Sequence, residues 1–525
     1  MNPLKSSPGR GLMGSRATEV AESPRTDAYF CEIPNEPCAI VMFGASGDLA
    51  RRKLLPALYD LAIHSCLAPR FRLLGFARTE MRDDDFRRTA GEFLPPKSQT
   101  GSGDGKLPEF LRHLQYFSGN YDDPGSYTRL AQRLEELDRE GQLGGNRLFY
   151  LATPPDVYPH IIEQLGRAGL AKPSNAESWT RIIIEKPFGH DGGSARDLNA
   201  KVLRVFDESQ VYRIDHYLGK ETVQNLLVFR FGNGIFEPLW NRNFIDHVQI
   251  TASESLGVER RAAFYESAGA MRDMIQSHVL QLTSLVGMEA PATFDATSVR
   301  NEKIKILQSI RPFDSDSVWK SVVRGQYGPG NVNGAAVPGY REEPGVKPNS
   351  GTETFVALKL LVDNWRWSGV PFYLRSGKRL ARPVTEIAIR FKSAPHMVFQ
   401  GKSVEPNSLV LNIQPDEGIS LSFGAKTPGS QMQIRPVTMD FRYRQAFGAG
   451  SREAYATLIN DCIRGDATLF DRADSVEAAW GLVDPILEAW QGASAPPFPN
   501  YPAGSEGPRA ADDLTVSEGR RWRPL

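Results

Sequence analysis

The sequence predicts a doubly wound α/β domain near its start. Short β-branched strands run straight into glycine or proline turns, and stretches of helical periodicity alternate with them. The first strand, over 39–43, is wholly apolar, as befits a strand buried on both faces of a parallel sheet. It passes into Gly44-Ala45-Ser46-Gly47-Asp48-Leu49-Ala50, then Arg51-Arg52-Lys53 and a helical pattern of Leu54, Leu55, Leu58, Tyr59 and Leu61. Strand, glycine turn and helix together present free N–H groups and a positive helix end to a phosphate. The fingerprint is GxxGDLA rather than the commoner GxGxxG, and a purely structural βα turn would use its glycines in the same way. The second strand, over 71–77, ends at Arg78. A carboxylate there would take the ribose 2′-OH of NAD, whereas an arginine forks onto a 2′-phosphate, so NADP is favoured with NAD as a weaker substitute. Two more strands fit the same sheet. RLFYLA (147–152) leads into Thr153-Pro154-Pro155, and RIIIE (181–185) into Lys186-Pro187-Phe188-Gly189. Ligands in such sheets lie beyond the carboxyl ends of the strands, which makes Lys186 a candidate.

Composition excludes several classes. The 525 residues carry 62 Lys+Arg against 62 Asp+Glu, so a dedicated nucleic-acid or anionic-membrane binder is disfavoured. Hydrophobic residues at 41% and charged residues at 24% are ordinary for a globular protein, and the apolar runs are too short to span a bilayer. The four cysteines (Cys31, Cys38, Cys66, Cys462) suggest neither a disulfide framework nor a metal motif, so a reducing, cytoplasmic compartment is expected. Residues 1–36 read as a disordered tail, although the Arg/Ser-rich, acid-poor start is also the make-up of an organellar transit segment. The Pro/Gly-rich stretch 492–507 reads as a loose surface loop.

Two segments carry chemistry. In RIDHYLGKETVQN (213–225), helical geometry would set His216 and Lys220 on one face, suited to a phosphate, with Tyr217 nearby and Asp215 turned about 100° away. In MRDMIQSHVLQLTSLV (271–286), Met271, Met274, Ile275, Val279, Leu282, Leu285 and Val286 form an apolar stripe with His278 in its middle. A buried imidazole needs a partner. Asp273, five residues earlier, lies about 140° round an α-helix, so the partner is expected from another segment, and Asp215 is the candidate. No metal-ligand cluster is evident, and none is expected.

Taken together these motifs resemble the glucose-6-phosphate dehydrogenases. The stretches that carry the resemblance are GASGDLARRKLLPALYDL (44–61), GFAR (75–78), YLATPP (150–155), IIIEKPFG (182–189), RIDHYLGKETVQN, RDMIQSHVLQL (272–282) and GVPFYLRSGKRL (369–380). The resemblance implies a Rossmann-type dinucleotide-binding domain over 37–212, then an α+β domain over 213–525 with a large, mostly antiparallel sheet, its last part (492–525) loose. That sheet usually forms a dimer interface, so a homodimer or homotetramer is expected, without nucleic-acid or membrane partners. The implied chemistry is oxidation of glucose 6-phosphate at C1 to 6-phosphoglucono-δ-lactone, the first step of the pentose phosphate pathway. His278 then looks like the base and Asp215 its orienting carboxylate. His216, Tyr217, Lys220 and Lys378 look like the phosphate seat. Glu254 and Asp273 fall where sugar hydroxyls bind, and Lys186 where substrate and nicotinamide meet. Gly44, Ser46, Gly47, Asp48, Leu49 and Arg78 take cofactor positions, with Tyr121 and Tyr150 close by. Arg382 serves the substrate in this reading, and a second, structural NADP site is in doubt. A sugar dehydrogenase of altered specificity and a non-catalytic regulatory relative are the alternatives. The intact set Asp215, His216, Lys220, Asp273, His278 and Lys378 speaks against the second.

Overall fold

The computed structural model describes residues 31, 35–94, 106–396, 398–399, 404–448, 452–492 and 496–525. Most of the N-terminal tail therefore lies outside the described residues.

The first sheet has six strands: β1 (Ala39–Phe43), β2 (Arg72–Ala77), β3 (Leu114–Ser118), β4 (Arg147–Leu151), β5 (Thr180–Ile184) and β6 (Val211–Arg213). Their order is β3-β2-β1-β4-β5-β6, and every pairing is parallel. β1 and β4 are buried along their whole length, which is why they read as unbroken apolar runs. The strand order reverses between β1 and β4, and the crevice beyond that point is where a dinucleotide lies in such folds.

The second sheet draws on β7 (Ile245–Ser253), β8 (Val322–Gly325), β12 (Phe355–Leu361), β13 (Pro371–Gly377), β14 (Val384–Phe391), β15 (Ser408–Gln414), β16 (Gly418–Lys426) and β17 (Ile434–Arg442). Between these fall the short strands β9 (Tyr327–Gly328), β10 (Gly330–Val332) and β11 (Ala335–Val337). The order is β17-β16-β15-β14-β7-β13-β12-β8, antiparallel except where β7 meets β13. The sheet is thus large and mostly antiparallel.

Two expectations are corrected here. The C-terminal segment is not loose where it is described. β18 (Tyr501–Pro502) pairs with β9, Tyr501 and Trp522 are buried, and the Tyr501 hydroxyl donates to the Lys378 carbonyl at 2.8 Å. Its prolines and glycines shape a docked strap, because its aromatic side chains find apolar seats. Cys31 and Cys66 form a disulfide across a separation of 35 residues. The chain before β1 runs back along the end of the helix Leu55–Ile63, with Cys31 N–H on the His64 carbonyl (3.2 Å) and Asn35 N–H on that of Cys66 (3.0 Å). Sequence spacing could not show this approach, and the pairing removes the ground for inferring a reducing compartment. No described helix is long and apolar enough to cross a membrane.

Candidate active site

The glycine turn follows β1 directly. Gly44 has φ +84°, and a Cβ there would lie 2.5 Å from the Ala152 carbonyl oxygen, so only glycine fits between β1 and the end of β4. Gly44 N–H bonds the Phe76 carbonyl (2.9 Å) and Gly47 N–H that of Gly44 (2.8 Å), which closes the turn. Helix begins at Asp48, so the first-turn N–H groups of Asp48 and Leu49 lack intrahelical acceptors and are available to a phosphate. Ser46 and Gly47 are half-buried beside them. At the end of β2, Arg78 is exposed, with its guanidinium 5.5 Å from the centre of the Tyr121 ring. These residues fit a dinucleotide, offering backbone donors suited to a pyrophosphate and, in Arg78, a guanidinium without an ion pair among the described residues at the end of β2.

At the end of β5, Glu185 is buried and accepts a hydrogen bond from the Tyr150 hydroxyl at 2.6 Å. Burial pushes its carboxyl up to about 7, against the pull of that hydroxyl and of Lys186. Lys186, the next residue, donates to the Asp273 carbonyl (2.9 Å) and carboxylate (3.2 Å) and lies 2.5 Å from His278 Nε2.

His278 is only 1% exposed, and its Nδ1 meets Asp215 Oδ1 in a short hydrogen bond. Asp215 accordingly comes from another segment, as expected, and its Oδ1 also accepts the Tyr217 N–H at 2.9 Å. The phenol of Tyr217 stacks on the imidazole, with ring centres 4.1 Å apart at 19°, while His216 packs edge-on at 4.6 Å. Burial opposes the charge of Asp215, yet His278, His216 and Lys186 hold its carboxyl well below the usual carboxylate range. Burial pushes the His278 pKa down, and the Lys186 charge adds to this while Asp215 opposes it. The pair therefore rests as carboxylate and neutral imidazole, the state a general base needs.

Two local geometries differ from the sequence expectation. Residues 214–220 are turns at the end of β6 rather than helix, and the helix starts only at Glu221. Asp215 bonding its own chain two residues on stabilises the turn over the helix. The stretch Met271–Val279 is π-helical, continuing as α-helix over Leu280–Gly287. Bonds from i to i+5 widen the turn, so residues five apart approach one face. Asp273 and His278 thus share one partner, the Lys186 ammonium, which an α-helix would have denied them. Glu353 caps the start of this stretch, its carbonyl accepting Ala270 N–H and its Oε1 accepting Met271 N–H, each at 3.0 Å. Gly269, at φ +63°, is needed because a Cβ would fall 2.3 Å from that Oε1.

The remaining candidates surround this group. Lys220 bonds Gln414 and lies 4.8 Å from the Tyr217 ring centre. Lys378, at the end of β13, pairs with Glu254 and lies 5.0 Å from the Tyr265 ring centre. Asp273 is buried, which opposes its charge, yet Lys186 and then Lys378 hold its carboxyl well below the usual range. Arg382 is the exception. It is exposed and donates to the Pro524 carbonyl at 3.3 Å, so its described partner belongs to the C-terminal strap. Sequence reasoning missed Glu185, Glu353, Gln414 and Tyr501. Glu185 was signalled by its place beside Lys186, the others by nothing local. Ligand atoms of Asp215, His216 and His278 lie within 4.8 Å of one another, as a metal would require. However, Asp215 and His278 bond each other and the Lys186 ammonium sits at Nε2, so a cation there would meet a like charge.

A parallel sheet with a glycine turn after β1, and Lys186 beside His278 beyond the end of β5, is the arrangement of a nicotinamide-dinucleotide dehydrogenase. The family model for the glucose-6-phosphate dehydrogenase NAD binding domain matches residues 41–225, and that for the C-terminal domain residues 227–523. A glucose-6-phosphate 1-dehydrogenase of Aggregatibacter actinomycetemcomitans is 50% identical over 488 residues, 93% of this chain and 97% of that one. That of Chlamydia pneumoniae is 49% identical over 496 residues, 93% and 96% of the two chains. A solved glucose-6-phosphate dehydrogenase in complex with glucose 6-phosphate superposes with TM-score 0.85 at 36% identity, covering 93% of this chain and 99% of its own. The chain belongs to the glucose-6-phosphate dehydrogenase family.

Proposed function

We propose that this protein oxidises D-glucose 6-phosphate at C1 to 6-phospho-D-glucono-1,5-lactone with NADP as the preferred acceptor, the first step of the oxidative pentose phosphate pathway. The observation that carries this reading is the buried His278 imidazole, bonded through Nδ1 to the Asp215 carboxylate and facing Lys186 through Nε2 at the end of the first sheet. The bound nicotinamide supplies the hydride acceptor at C4. His278 Nε2 takes the proton of the C1 hydroxyl, so the O–H electron pair closes the lactone C=O as hydride leaves C1. Asp215 fixes the tautomer with Nδ1 protonated and stabilises the imidazolium formed. Substrate displaces Lys186 from Nε2, and the ammonium then lies between sugar and nicotinamide. Asp273 and Glu254 take sugar hydroxyls, and His216, Tyr217, Lys220 and Lys378 seat the phosphate. The glycine turn and Asp48–Leu49 hold the pyrophosphate, with Tyr121 and Tyr150 close by. The free Arg382 role in substrate binding finds no support in its strap contact. The outermost strand β17 exposes Val437 and Met439 at 40% and 62%, which supports pairing of two copies through this sheet.

The reading is tested by following NADPH absorbance with purified protein, glucose 6-phosphate and either nucleotide. Turnover with NADP, and far poorer turnover of free glucose, is expected; equal rates for both sugars would remove the phosphate seat. Arg78→Ala should raise the KM for NADP by about 10–100-fold through loss of a charge-assisted contact, and change that for NAD by no more than about threefold. Equal loss for both nucleotides would end the 2′-phosphate role.

A further inference from the structure

A small cavity of about 30 Å³ lies against the Asp215 carboxylate, walled by Arg213, Asp215, Ser277, Gln281 and Asp471 among others. It is far too small for a sugar phosphate, yet a cavity needs only about 10–15 Å³ of such space to hold a water. Its lining is mixed, with Ile184, Phe188, Ile214, Val476 and Ala479 beside these polar groups, several of whose polar atoms are unmet. Asp215 Oδ1 serves both His278 and Tyr217, but Asp215 Oδ2 and Gln281 Oε1 have no hydrogen-bond donor among the described residues. Arg213 Nε likewise has no acceptor, its two terminal nitrogens being spent on Glu208 and Asn199. Asp471 Oδ1 is a third orphaned acceptor in the lining, facing the Lys303 ammonium at 3.5 Å; a single water molecule, with two O–H groups to give and a lone pair to receive, complements the other two acceptors and the Arg213 donor.

We propose that this cavity binds one structural water, which donates to Asp215 Oδ2 and Gln281 Oε1 and accepts from Arg213 Nε. Gln281 and Arg213 are then positioning residues that act on His278 through the water and Asp215. With both oxygens anchored, the carboxylate plane cannot rotate Oδ1 away from the imidazole. The inference rests on the roles given above to His278 and Asp215. Other charged groups face the pair. Lys186 and His216 lie on its front, while behind it are Asp471, whose Oδ1 is 3.5 Å from the Lys303 ammonium, and the Glu185 carboxyl under Tyr150.

A high-resolution crystal structure of the wild-type protein is the first test. An ordered water within hydrogen-bond distance of Asp215 Oδ2 and Gln281 Oε1 is expected. A dry cavity, or Gln281 turned to bond Asp215 directly, overturns the site. This readout needs no turnover, so it stands or falls apart from the assignment of His278 as base. The second test is Gln281→Met, which keeps side-chain length and removes the water's partner. With its second acceptor gone the water leaves the cavity, and the loss of the hydrogen bond it gave the carboxylate makes Asp215 more basic and raises the His278 pKa. The expected result is a kcat lowered about tenfold, KM values unchanged, and an acid limb of kcat/KM moved up by about one pH unit. A merely structural role would lower the melting temperature without moving that limb. An unmoved limb with wild-type kcat overturns the positioning role.

Discussion

Replacing His278 by Asn is expected to lower kcat by about 10³-fold while changing the KM for glucose 6-phosphate by no more than about threefold, because general-base help is lost and ground-state binding is not. Asparagine is close in size, so the apolar stripe of the Met271–Val279 stretch stays filled. It can also still donate toward Asp215, so that the carboxylate, 2% exposed, is not left unpaired. Such a retained partner separates a chemical effect from unfolding. The wild-type pH profile supplies the companion result. Burial and Lys186 lower the His278 pKa, so the neutral base persists to more acid pH than a free imidazole. Activity is present above the folded-state pKa and lost as pH falls through it, so the acid limb of kcat/KM should lie below about 6.5, the ordinary histidine value. A limb above that value would mean that Asp215 dominates the balance. An unchanged rate in His278→Asn would return this histidine to the role of a hydrogen-bonded core residue.

What the sequence made legible was local chemistry attached to local geometry. The β1 turn, Arg78 at the end of β2 and Lys186 beyond β5 could be placed because a parallel sheet puts its ligand face at the carboxyl ends of strands. The pairing of His278 with Asp215 was legible by exclusion, since the residue nearest in sequence lay at the wrong angle on an α-helix. Asp273 indeed makes no hydrogen bond to His278, but the α-helical angle did not show that Lys186 would join the two. The start of the Met271–Val279 stretch is capped by Glu353 from 82 residues away and preceded by Gly269 at positive φ, and periodicity of apolar residues does not distinguish π from α over two turns. The C-terminal strap failed for the same kind of reason. Proline and glycine content suggested a loose loop, whereas Tyr501 and Trp522 are held by the second sheet and its neighbours. The Cys31–Cys66 bond, Gln281 and Glu353 all depend on which distant segments meet, which a composition or a spacing does not contain.

The two lysines proposed as the phosphate seat, Lys220 and Lys378, come from distant parts of the chain, and this makes their prediction sharper than a single substitution would be. Lys220 closes the turn before the helix Glu221–Phe231, and Lys378 leaves the end of β13 with its carbonyl fixed by Tyr501. Each ammonium already has a polar partner, Gln414 for Lys220 and Glu254 for Lys378, so neither is held only by its surroundings' indifference to charge. Burial lowers the Lys220 pKa, while Glu417 and Glu453 act the other way. A phosphate dianion arriving between two such groups exchanges those partners for stronger, charge-assisted ones. Lys220→Ala and Lys378→Ala should each raise the KM for glucose 6-phosphate by about 10–100-fold, with kcat changed less, since a charged hydrogen bond contributes roughly 1.5–3 kcal/mol. The double variant should approach 10³-fold, roughly, or fall short of the product if one phosphate oxygen is shared. Free glucose carries no phosphate, so its kcat/KM should stay within about threefold in all three variants, and the preference for the phosphorylated sugar should collapse. A parallel loss on glucose would show that the two lysines support the fold around Tyr217 and Tyr265 instead, because a phosphate seat has nothing to lose when no phosphate is offered.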